Sequence, residues 1–169
     1  MTDEEFEDVL NMLDIEADDE IMAADYEEVE VKVTADSGAG DHVSNRHDLG
    51  SPEVRPSKGS KMGKAFMAAS GDRIENEGES DVLLEGGSIP IKSVFQIANV
   101  TRPLMSISRI CDHDGNTVTF DKDKGIVYNK NRKELCRFVR DGALYTMKFK
   151  VKRPSGNSAS PFGRQGASR

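Results

Sequence analysis

The sequence predicts an all-β domain, a barrel or a sandwich, and three observations carry that expectation. Residues 28–35, EVEVKVTA, alternate strictly: Val29, Val31, Val33 and Ala35 share one face, Glu30, Lys32 and Thr34 the other. That is the period-two signature of a half-buried strand. Further short apolar runs follow at spacings of about 8–12 residues, a rhythm that suits antiparallel sheets better than βαβ units. Only one stretch between them carries helical spacing.

Each element can be justified in turn. AFMAASGDRIEN (65–76) contains two short runs around Ser70-Gly71-Asp72, the pattern of a hairpin with a glycine tip. DVLLEGGSIPIKSVFQIANV supplies two strands around Gly86-Gly87. RPLMSISRICD begins near Pro103 and places Leu104, Ile107 and Cys111 at i, i+3 and i+7, which predicts one short helix. NTVTF, GIVYN, ELCRFV and LYTMKFKV read as four more strands. In the last, Tyr145, Met147, Phe149 and Val151 alternate with Thr146, Lys148 and Lys150. Asp114-Gly115, Lys124-Gly125 and Asp141-Gly142 are turn signals between them.

Charge divides the chain into three parts. Residues 1–28 carry thirteen acidic side chains and no Lys or Arg, while 152–169 carry four basic ones and no acidic ones. Removing both from totals of 23 basic and 30 acidic leaves 19 against 17 for residues 29–151, a balance of +2. The folded domain is therefore expected over 29–151. The acidic extension, 1–28, reads as a short helix and a linker. Thr2 and Glu5 form a capping-box pattern, and Phe6, Val9, Leu10 and Leu13 form one stripe. The Pro/Gly/Ser-rich tail, 152–169, is expected to be disordered.

The near-neutral middle excludes the basic face of a nucleic-acid-binding domain. KGSKMGK (58–64) reads as a solvated loop and lacks phosphate-loop spacing. No segment approaches the roughly 20 apolar residues of a membrane span. The acidic N-terminus does not read as a signal peptide. Cys111 and Cys136 are too few for a disulfide framework, so reduced thiols in an intracellular, cytoplasmic setting are expected. Cys111, His113 and Asp114 lie close in sequence without the paired spacing of a zinc site. Neither metal nor cofactor is expected.

Asp36-Ser37-Gly38-Ala39, with His42 behind it, ends the first strand. Ser70-Gly71-Asp72 follows about thirty residues later, then Leu104-Met105-Ser106-Ile107-Ser108 ahead of a TVTF strand. This ordered set, covering roughly residues 29–150, resembles retropepsin-like aspartic proteases. It is most similar to the protease segment of copia-type retrotransposon polyproteins. The resemblance implies a retropepsin-like acid-protease barrel with one short helix, assembled as a two-fold symmetric homodimer. It implies an endopeptidase that cleaves an extended peptide within a polyprotein. Asp36 would be catalytic, with Ser37 and Gly38 bracing its turn. Gly38, Ala39 and Asp41 would line the substrate groove. Residues 66–76, with Ser70, Gly71 and Asp72 at the tip, would form a flap.

Such chemistry activates a water between two carboxylates that share one proton, because two carboxylates about 3 Å apart cannot both ionise. The hydroxyl of Ser37 can hold the turn, and Gly38 can take dihedrals that a side chain would forbid. The chain has no second Asp-(Ser/Thr)-Gly, so the other carboxylate must be Asp36 of a second copy. Ser106 stands where many retropepsins carry glycine. LYTMKFKV is the candidate for a dimer-closing strand, and it also suits packing within one subunit. A catalytically silent dimerisation or peptide-binding module on the same fold is the second reading, and an adaptor built around the acidic helix is the third.

Overall fold

The computed structural model describes residues 26–154, and the expected N-terminal helix and nearly all of the C-terminal tail lie outside them. The described chain is predominantly β, as expected. Eleven strands alternate with turns: β1 (Tyr26–Asp36), β2 (Val43–Ser44), β3 (Ala65–Met67), β4 (Arg73–Glu75), β5 (Gly78–Leu84) and β6 (Ile91–Ile97), then β7 (Leu104–Ser106), β8 (Thr117–Phe120), β9 (Lys124–Tyr128), β10 (Glu134–Asp141) and β11 (Leu144–Pro154). Two short helices interrupt them, α1 (Lys58–Lys61) and α2 (Ile107–Asp112), together with a 3-10 turn at His47–Leu49.

Nine strands form one sheet in the order β5-β6-β2-β7-β1-β11-β10-β9-β8, and β3 and β4 form a separate hairpin. The edge strand β5 is bridged back to β11 through Glu85 and Lys150, so the first six strands in that order roll into a ring. β1 is central. It pairs antiparallel with β11, from Tyr26 opposite Pro154 to Thr34 opposite Thr146. It pairs parallel with β7, from Thr34 opposite Leu104 to Asp36 opposite Ser106.

The alternation of β1 decides its two faces. Val31 and Val33 are buried in the core with Phe95, Met105, Phe138 and Phe149. Glu30 and Lys32 stay exposed, with Glu30 3.7 Å from Lys148. Strand pairing reaches beyond the domain boundary expected at 29, because Glu27 and Glu28 stand opposite Arg153 and Lys152. Cys136 sits in the same core. Burial pushes its thiol up to about 12, so it acts as a small apolar side chain.

Three expectations need correction. RPLMSISRICD is a strand and then a helix: Leu104–Ser106 joins the sheet, and the helix starts at Ile107. Pro103 fixes the break, since its carbonyl accepts from the Thr34 N–H at 3.0 Å and holds the chain extended beside β1. Helix α2 buries Ile110, while Cys111 is only half-buried. KGSKMGK contains a helical turn, α1, closed by a capping box between Ser57 and Ser60. Lys124-Gly125 is not a turn. Gly125 lies in β9 under Phe120, whose ring would meet a Cβ there at 2.5 Å. The Asp121 carboxylate makes that turn by accepting from the N–H groups of Asp123 and Lys124. Of the two readings left open for LYTMKFKV, packing within one subunit is the one seen: it pairs with β1 on one side and β10 on the other.

Candidate active site

The site grows from the end of β1. Asp36 is half-buried at the last position of the parallel β1–β7 pair. Its Oδ1 accepts from the Gly38 N–H at 2.8 Å, a carboxylate-closed turn of the kind Asp forms readily. The brace is therefore the Asp36 side chain itself, and Ser37 points its short side chain into solvent. Gly38 is needed for space rather than for unusual dihedrals. Its φ is not among the positive values, while a Cβ there would approach Asp36 Oδ1 to 3.2 Å.

Ser106 ties this turn to the rest of the domain. It is fully buried, and its hydroxyl donates to the Ala39 carbonyl at 2.6 Å. The same oxygen accepts from the Arg109 N–H at 3.3 Å as the cap of α2 and lies 3.1 Å from Ser108 Oγ. One donor and two acceptor sites on a single hydroxyl are thus all occupied. The Ser106 N–H donates to His42 Nδ1 at 2.9 Å, which places the imidazole proton on Nε2. His42 packs its ring on Phe95 with centroids 5.4 Å apart. Burial, helped by the charge of Arg109, pushes His42 down to about 4, against the opposing pull of Asp41. Arg109 completes the clamp. Its Nε donates to Asp41 Oδ1 at 2.8 Å and to the Gly40 carbonyl at 3.2 Å.

Opposite lies the β3–β4 hairpin. Its tip turns through Ala68–Asp72, with the Ala68 N–H donating to the Asp72 carbonyl and the Gly71 N–H to the Ala68 carbonyl, both at 2.9 Å. Gly71 has φ +88°, a region that favours glycine. Ser70 Oγ donates to Asp72 Oδ2 at 2.8 Å. All three tip residues are exposed. Between the base of the hairpin and the Asp41–Arg109 pair runs a cleft of about 410 Å³, with Ala65, Phe66, Lys58 and Lys64 on its hairpin side.

The fold thus gathers Asp36, Ser37, Gly38, Ala39 and Asp41 in one loop and brings Asp41 into a cleft with the hairpin. Neither Asp36 nor the tip, Ser70–Asp72, lines that cleft. Sequence reasoning missed the clamp residue Arg109, which gives no local signal because Asp41 lies 68 positions away. Ser106 carried a readable one, since Ser followed by an apolar run is a helix-cap pattern. His113 and Asp114, which lie near Cys111 in sequence, make a solvent-exposed contact at 3.5 Å. No helix among the described residues is long and apolar enough to cross a membrane. Comparison of the chain with protein-family models, with curated proteins and with solved structures gives no match.

Proposed function

We propose that the chain is a retropepsin-like aspartic endopeptidase, similar to the copia-type enzymes, that cuts extended polyprotein peptides as a homodimer. The observation that carries the reading is the anchored Asp36 turn. A half-buried carboxylate ends the central strand, spends one oxygen on the Gly38 N–H, and is followed by a loop pinned by Ser106 and Arg109. Such fixation is what a group must have when its geometry relative to a reacting carbonyl sets the rate.

In the dimer, Asp36 of each copy approaches the two-fold axis. Repulsion between the carboxylates leaves one protonated. The ionised one takes a proton from water as it attacks the scissile carbonyl, and the protonated one donates to the carbonyl oxygen. The β3–β4 hairpin closes over the peptide, which lies extended beside it as an added strand.

The test is peptide hydrolysis over a pH series and over protein concentration, with Asp36→Asn alongside. The expected result is a bell-shaped profile belonging to the coupled pair, with specific activity rising as dimer forms. Asp36→Asn should lose about a thousandfold or more in rate while staying folded. A monomer that cleaves at a concentration-independent specific rate would overturn the reading.

A second reading is favoured by β11, whose pairing is satisfied inside the chain. A copy that stays alone holds a single Asp36 and binds extended peptide without cutting it. Sedimentation combined with the hydrolysis assay separates the two.

A further inference from the structure

The cleft beside the hairpin has an uneven charge account. Two carboxylates line it, and both are spent. Asp41 is held by the Arg109 guanidinium at 2.5 Å. Glu79 is held by Arg55 at 3.1 Å. The lining cations Lys58 and Lys64 are both exposed, and among the described residues neither has an ion-pair or hydrogen-bond partner for its ammonium. The uncommitted charge in the cleft is therefore positive.

The floor is rigid and its polar groups are occupied. Asn76 Nδ2 donates to Gln96 Oε1 at 2.9 Å, and Asn76 Oδ1 accepts from the Gly78 N–H at 2.9 Å and from Ser57 Oγ at 3.1 Å. Gly59 packs α1 onto that amide so closely that a Cβ would meet Asn76 Nδ2 at 2.8 Å. The two lysines thus flank a fixed turn, Lys58 at the start of α1 and Lys64 three residues past its end, in a cleft with no free carboxylate among its lining residues.

We infer that this cleft selects acidic side chains in the bound peptide. The occupant is an extended acidic peptide, and the stretch that precedes β1 has that composition: residues 1–25 hold eleven Asp and Glu, no Lys or Arg, and interleaved apolar residues such as Leu10, Leu13 and Ile21. Reach permits it. Tyr26 and Asp36 sit at opposite ends of β1, roughly 33 Å apart at strand rise, and 25 residues can extend to at most roughly 80–90 Å. A stretch belonging to a second copy is freer still to enter. The inference rests on the peptide-groove reading above and adds the class of peptide.

The test compares two synthetic peptides, residues 8–25 of this chain and the same peptide with every Asp and Glu changed to Asn and Gln. Binding is measured by fluorescence anisotropy to the full chain carrying Asp36→Asn, and cleavage with the unchanged full chain. The acidic peptide should bind about tenfold more tightly at low salt. The double change Lys58→Gln with Lys64→Gln should bring the two peptides to within about twofold. Lys61→Gln, on the same turn but outside the cleft, should leave the preference intact, and thermal unfolding checks that each variant folds. Equal binding of the two peptides, or a Lys61→Gln effect equal to the double change, would overturn the inference. Preferential binding without any cleavage would keep the inference and sink the proteolytic reading. Cleavage that favours the neutral peptide would do the reverse.

Discussion

The loop after β1 and the tip of the β3–β4 hairpin are both short turns, yet they are built in opposite ways. Residues 36–42 accept bonds from outside themselves: the Ser106 hydroxyl donates to Ala39, the Arg109 guanidinium to Gly40, and the Ser106 N–H to His42. The hairpin tip is held only by its own residues, through Ala68, Gly71 and the Ser70–Asp72 contact. Its two strands belong to no other sheet, and Met67 beside the tip is 73% exposed. Fixed position is built where many separate elements converge, and freedom to move is kept where a segment bonds only to itself.

The largest expected effect that can break this contrast is in acid. His42 is an ordinary imidazole when unfolded and is pushed down to about 4 when folded. Its folded form resists protonation, so its stabilisation is complete above about pH 6.5. It is lost as pH falls from there toward 4 and is flat below, a change of about 3 kcal/mol. Urea midpoints measured from pH 7 to 4 should fall along this line. His42→Asn keeps an acceptor for the Ser106 N–H and should flatten the slope. An unchanged slope would mean that His42 does not carry the clamp.

Next in size is Ser106→Ala, which deletes a buried hydroxyl with its donor and acceptor sites all in use. The Ala39 carbonyl and the Arg109 N–H lose their partner, at a cost of about 2 kcal/mol. Hydrogen exchange at Gly38 should rise along with it, and protection unchanged at Gly38 would detach Ser106 from the Asp36 turn. Smallest in stability is Gly71→Val at the hairpin tip, which forces a β-branched residue to φ +88° with open space around it. It should cost about 1–2 kcal/mol locally and move the global unfolding midpoint little. Peptide turnover should drop several-fold, and a variant that lost global stability with full turnover would make the hairpin structural.

How far the sequence discloses this molecule depends on the range of each interaction. The strand pattern of β1 and β11 was legible because Val31, Val33, Met147 and Phe149 alternate within a few positions. The glycine-tipped hairpin was legible for the same reason. The split of RPLMSISRICD into β7 and α2 was not, because its first half is extended by pairing with Thr34 and Asp36, a tertiary contact that outweighs the local helical spacing. Within the candidate site, Asp36 and its neighbours were marked by their own motif. The clamp was not, since Asp41–Arg109 and Ala39–Ser106 are joined across 68 and 67 positions. The cleft lysines read as part of a solvated loop, because the cleft they line is completed by Asp41 and Arg109 from elsewhere in the chain.

The pairing of β1 with the C-terminal hairpin also has a consequence in time. β1 leaves the ribosome before its antiparallel partner β11. Lys32 and Asp141, which meet in an ion pair, are 109 positions apart. At roughly 5–20 residues per second, the nascent β1 waits on the order of 5–20 s for β11. Throughout that interval a Val-rich edge is open to any other strand, including the same edge on a neighbouring nascent chain. The alternating Glu28, Glu30 and Lys32 on its other face then act as a guard during synthesis, keeping soluble a strand whose barrel has not yet been made.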